Sequence, residues 1–234
     1  MSTLPTITPS SRKPRSGSIP SLEMGDHLDQ PTFHARYEAM PENFRAELIG
    51  GVVYVPSPLK ADHGGPHADL VTWANIYRSH LPAARVMDNA TDILGPDSEP
   101  QPDVYLFLEG GQTRMTTDGY VEGPPEFVGE VASSSAAYDL HEKRRDYERY
   151  GVGEYLVVLV RESRVVWFTR PGGPKSGFVE LAAGTDGIHR SLSLPGLWLD
   201  AAALFRSDVP RLLEVLNLGL ATPEHAAFVA SRKK

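Results

Sequence analysis

Residues 126–132 read EFVGEVA. This is a short apolar run of strand length with one acid, Glu130, inside it. A carboxylate on a buried strand is costly unless it is paired or holds a metal. The local pattern leaves a second reading open, in which Glu130 faces solvent from an edge strand. Gly129 suits both, because a strand glycine marks a bulge or a close backbone approach.

Just upstream, residues 101–109 read QPDVYLFLE. Pro102 pushes Gln101 toward an extended conformation, which sets Asp103 at the mouth of the strand VYLFLE. Turn aspartates after proline are common, so Asp103 alone is weak. Downstream, DLHEKRRDYERY (139–150) turns helical, and Gly151 is its expected stop. Lys143, Tyr147 and Tyr150 stand at i, i+4 and i+7, so they share a helix face. A helical lysine whose stem covers tyrosine rings is the ordinary reading of that spacing. The strands EYLVVLV and RVVWFT follow, separated by the charged turn RES.

Farther out, AELIGGVVYVPSP (46–58) has paired glycines between two apolar runs, a hairpin signal, with Pro56 and Pro58 ending the second strand. Glu47 stands at the start of the first strand. A short helix is expected over 32–40 and a longer one from Pro66 to His80, with Pro66 in its first turn. His63 and His67 have the spacing of two zinc ligands on a helix. Gly64, Gly65 and Pro66 lie between them, so a continuous helix is not expected and the zinc pair is rejected. His63 is left as a residue that can reach the rim of a site. Strands are expected over 84–94, 178–183 and 188–194. Helices are expected over about 200–206, 209–219 and 223–232, the last capped by Thr222 before Pro223.

Strands and helices without strict alternation imply an α/β or α+β domain, a central mixed sheet flanked by helices. The expected division is a disordered arm over 1–28, carrying Arg12, Lys13 and Arg15, a domain over 29–206, and a helical extension over 207–234 packed on it. The chain has 234 residues, no cysteine and a formal charge of −7. It lacks a stretch of ~18 apolar residues that a membrane span needs, and its first residues lack the apolar core of a signal peptide. Without cysteine there is neither a disulfide nor a Cys-based zinc site, and a cytoplasmic location is expected. The negative charge counts against broad phosphate neutralisation. It is compatible with carboxylates gathered around a cation.

Carboxylates on strand ends hold Mg²⁺ well, because it is a hard cation that prefers oxygen ligands. A bound metal acidifies water and stabilises charge on a phosphoryl oxygen, and a nearby lysine stabilises the same charge. Taken together, these residue types suit phosphodiester hydrolysis.

The order QPDVYLFLE, PPEFVGEVASSS, D-x-x-x-K-x-x-x-Y and GVGEYLVV resembles the Uma-type restriction endonuclease family of the PD-(D/E)XK nuclease superfamily. AELIGGVVYVPSP followed by a histidine and a helix, and SLPGLWLDAAALF near the end, are also similar. The likeness runs over roughly residues 30–206. It implies a restriction-endonuclease-like core with Asp103 and Glu130 as metal ligands, the carbonyl of Val131 as a further one, and Glu47 as the acid before the hairpin. The superfamily lysine would stand at position 132, but Ala132 is there. The matching lysine is Lys143 on the next helix. Ser133–Ser134–Ser135 replaces a frequent Ser-Pro-Ser. The resemblance implies a Mg²⁺- or Mn²⁺-dependent DNA endonuclease, expected as a homodimer. A non-catalytic nuclease-fold module and a hydrolase of a small phosphate-containing molecule are the competing readings.

Overall fold

The computed structural model describes residues 19–56, 60–173 and 175–232. The basic patch Arg12, Lys13 and Arg15 and the strand-ending Pro58 lie outside them. In chain order the elements are α1 (Gln30–Glu38), β1 (Glu47–Ile49), β2 (Val52–Tyr54), α2 (Ala61–Ser79), β3 (Ala84–Asp88), β4 (Asp92–Ile93), β5 (Val104–Leu108), β6 (Arg114–Met115), β7 (Val121–Glu122) and β8 (Phe127–Ala132). Then come α3 (136–150), β9 (Glu154–Leu159), β10 (Arg164–Thr169), β11 (Val179–Glu180), β12 (Ile188–Arg190), β13 (Trp198–Asp200), α4 (Ala201–Phe205), α5 (Val209–Leu220) and α6 (Pro223–Ser231).

The central sheet has the order β11-β10-β9-β8-β5-β3. EFVGEVA supplies β8, an interior strand. Every residue of β8 and of its parallel neighbour β9 is buried. Strands buried on both faces read as continuous apolar runs, which is why periodicity alone could not orient Glu130. α3 makes the crossover from β8 to β9, since parallel neighbours need one. The other pairings are antiparallel, so the sheet is mixed, as expected.

The two faces carry separate cores. Phe127 and Val131 of β8 pack with Val104 and Leu106 against Leu70, Trp73 and Tyr77 of α2, and Leu212 and Leu216 of α5 join them. Val128 and Ala132 pack with Tyr105, Val157 and Tyr147 under α3. Glu130 has the parity of Val128 and Ala132, so it lies on the α3 face.

The hairpin is as expected. Gly50 and Gly51 both have positive φ, +56° and +79°, between the pair Ile49 and Val52. That is the geometry a two-residue hairpin turn requires.

Several boundaries differ from expectation. Packed chain begins well before Asp29: Leu22 is buried with Phe33 and Leu48, and the Gly25 and Leu28 amides donate to Val53 and Gly51. α1 starts at Gln30, capped by the Asp29 carboxylate on the Thr32 amide at 3.0 Å. The stretch 84–94 is two strands, broken where Asn89 takes φ +50°. α2 begins at Ala61, so Pro66 lies inside it. Proline there forfeits one backbone bond near the start of the helix, and Gly65 before it has no Cβ to clash with the ring. The tail helices form as expected, α6 with the Thr222 hydroxyl oxygen accepting from the His225 amide. No helix among the described residues is long and apolar enough to cross a membrane.

Candidate active site

β5 and β8 run antiparallel with Val104 opposite Gly129. One step along that register sets Asp103 against Glu130, both on the α3 face. The Asp103 amide lies 3.4 Å from Glu130 Oε2. The Asp103 carboxylate accepts from the Val131 amide at 2.7 Å. The two acids, 27 positions apart, are therefore neighbours at the mouth of the strands.

α3 crosses above them. Its middle, Asp139–Lys143, is a π-helical turn in which the Arg144 amide donates to the Asp139 carbonyl five residues back. Such bulges recur at functional sites because they re-aim one turn of side chains. Lys143 Nζ and Tyr147 Oη each donate to Glu130 Oε1 at 2.8 Å. Lys143 Nζ also meets Glu47 Oε1 at 2.8 Å. The same Glu47 oxygen accepts from the Gln101 amide at 2.8 Å, which ties β1 to the residue two before Asp103. Glu47, Asp103, Glu130 and Lys143 are all buried. Tyr150 does not join them, and its hydroxyl bonds Asp97 instead.

Burial lifts Glu130 well above the usual carboxylate range, although Lys143 opposes it. Burial pulls the Lys143 ammonium down, but Glu130 and Glu47 outweigh that and hold it above its ordinary value. Asp103 is held below its usual value: burial works against ionisation, and the His63 hydrogen bond and the Val131 amide overcome it. Burial also pushes Asp139 up to about 6 against the pull of Lys143. A floor of several acids around one ammonium is short of positive charge.

The histidine pair requires a correction. α2 is continuous through His63 and His67, so both imidazoles face the strand mouth. His63 Nε2 lies 3.1 Å from Asp103 Oδ2. His67 Nε2 lies 2.9 Å from the Asp103 carbonyl and 3.1 Å from Asp88 Oδ1. The spacing signal was present in the sequence. Gly64, Gly65 and Pro66 do not interrupt the helix.

A model of the Uma2 family, described as putative restriction endonuclease, matches residues 31–202. The chain belongs to the Uma2 family. As a Uma2 member it is of a restriction-endonuclease-like nuclease family, and Glu47, His63, Asp103, Glu130, Lys143 and Tyr147 all lie inside the matched span. The Uma2 chain is also similar to the crystal structure of a putative nuclease belonging to DUF820 from Anabaena variabilis, with a TM-score of 0.54 and 14% identity. That likeness covers 73% of this chain and 97% of the other, and it shows the restriction-endonuclease-like fold. No curated protein sequence matches significantly.

Beyond the expected residues, the Uma2 site contains His67, Asp88 and Asp139. His67 had only its four-residue spacing from His63, and the two acids had no signal of their own. Asp88 and Asp139 read as ordinary polar positions at a strand end and a helix start, and only the fold brings them near Asp103 and Lys143.

Proposed function

We propose that this protein is a divalent-metal-dependent endonuclease that hydrolyses DNA phosphodiester bonds. The observation that supports it is the convergence of Glu47, Asp103 and Glu130 around Lys143 at one buried strand mouth. The donor chemistry fits Mg²⁺ or Mn²⁺: neighbouring carboxylates supply hard oxygen ligands, and their surplus negative charge suits a dication. Asp103, Glu130 and the Val131 carbonyl are the holders in this reading. A bound ion there would acidify a water and stabilise charge on the phosphoryl oxygen.

The chain's own groups have distinct parts. Lys143 keeps its proton between two carboxylates, so it is a poor base and serves as fixed positive charge for the developing phosphorane. Glu47 is a positioning residue that holds the same ammonium as Glu130 does. Tyr147 positions Glu130 through its hydroxyl, and the Val131 amide with His63 fixes the Asp103 carboxylate. A homodimer suits this reading, because cutting both strands takes two sites.

A second reading is a non-catalytic module that kept the fold. It is favoured by Glu130 Oε1, which already accepts from both Lys143 and Tyr147. Cleavage of supercoiled plasmid separates the two. The wild type should nick it with Mg²⁺ or Mn²⁺, lose activity in EDTA and regain it when metal is restored. Asp103→Ala and Glu130→Ala should reduce the rate by at least ~100-fold. A folded wild type that leaves DNA intact with either ion overturns the nuclease reading. Hydrolysis of a small phosphodiester by that same protein would assign the site to a small phosphate-containing substrate.

A further inference from the structure

The nuclease reading uses oxygen ligands and leaves two buried or half-buried imidazoles beside them. His63, His67 and Asp103 each offer one ligand atom, and those atoms lie within 4.8 Å of one another. The two histidines are four apart on one helix, so their rings share a face, with centroids 5.5 Å apart. Zinc-type bonds of about 2.1 Å require ligand atoms closer together than this limit. An ion bound there would draw the three ligand atoms together.

Three observations point to a ligand at this cluster. His63 is only 6% exposed, yet its Nδ1 is buried with no hydrogen-bond partner. A buried ring nitrogen without a partner is a polar demand that the described residues leave unmet. Next, Asp103 is anchored from behind by the Val131 amide, which fixes the direction of its carboxylate. Finally, Asp88 Oδ1 stands 3.1 Å from His67 Nε2 with its side chain 54% exposed, which puts a second carboxylate at the solvent edge of the cluster.

We propose that His63, His67 and Asp103, with Asp88 at the outer edge, form a nitrogen-bearing cation site that takes a borderline first-row ion such as Zn²⁺ or Co²⁺ in preference to Mg²⁺. Imidazole nitrogen suits Zn²⁺ and its neighbours, whereas Mg²⁺ favours oxygen and gives up water reluctantly. Two neutral imidazoles and two carboxylates balance a dication. The inference goes beyond the nuclease reading, because the site stands on the histidines whether or not the protein cuts DNA. The two share Asp103 and differ in Glu130.

Co²⁺ titration of the metal-stripped full chain, followed by visible absorption and calorimetry, tests it. The wild type should bind one Co²⁺ with ligand-field bands of nitrogen coordination. Zn²⁺ should displace it, and about a 100-fold excess of Mg²⁺ should not. His67→Ala should weaken Co²⁺ binding by at least ~10-fold, and His63→Ala likewise. His67 is partly exposed, so its variant is the deciding one if His63→Ala fails to fold, with far-ultraviolet circular dichroism as the check. Glu130→Gln should bind Co²⁺ within about threefold of the wild type. Absence of Co²⁺ binding in the wild type overturns the proposal. So does His67→Ala binding as the wild type does, or Glu130→Gln losing as much affinity as His67→Ala, which would move the ion to the acid pair. Lost DNA cleavage with Co²⁺ binding intact would count against the nuclease reading alone.

Discussion

Lys143 is the residue on which the charges of the site balance. Its ammonium lies 2.8 Å from both Glu47 and Glu130, and all three side chains are buried. Removing one partner from such a group leaves uncompensated charge in a poorly solvated place. Lys143→Met should therefore lower unfolding stability by about 3–5 kcal/mol, read from urea midpoints at constant m-value. Adding Glu130→Gln to Lys143→Met should recover part of that loss, because one orphaned carboxylate disappears. If Lys143→Met unfolds at the wild-type midpoint, the ion pairs do not form in solution.

Among the elements, β8 is closely covered by β5 and α2 at Gly129. A Cβ there would come within 3.0 Å of Val104 Cγ1, 3.1 Å of Leu70 Cδ2 and 3.3 Å of Phe127 Cε1. Gly129→Ala should destabilise by about 1–3 kcal/mol through overpacking, measured by thermal or urea unfolding. β5, β8, β9 and the hairpin were legible in the sequence because apolar runs and paired glycines are strong local signals. Motif order also singled out Asp103, Glu130 and Lys143, which the fold brings together at the strand mouth. The start of α2 was not legible, because helix breakers cost only local free energy while Leu70, Trp73 and Tyr77 anchor the helix on the sheet. β4, β6 and β7 have two residues each, too short to show any period. The π turn of α3 also had no legible signal, and its Asp139 carbonyl accepts from the distant Tyr155 hydroxyl at 3.0 Å, a contact only the fold provides.

At the scale of the whole molecule, the core does not stop where the family match stops. The match ends at residue 202, yet Leu212 and Leu216 of α5 lie in the same cluster as Leu70, Trp73 and Val131, and Val215 of the same helix is also buried. Three such side chains contribute roughly 5–9 kcal/mol by burial, comparable with the stability of an ordinary domain. A chain ending at Ser207 should lose cooperative unfolding and bind hydrophobic dye, which melting curves and dye fluorescence would reveal. A sharp wild-type-like transition would show α5 to be dispensable. The Lys143 bridge has a mechanical side as well. One amine grips the N-terminal hairpin through Glu47 and the central sheet through Glu130, so it acts as a pin between two layers. Any tug that slides the hairpin across the sheet must trade away one of the pin's two grips. Displacement of that layer is thereby transmitted directly to the polarity of the strand mouth.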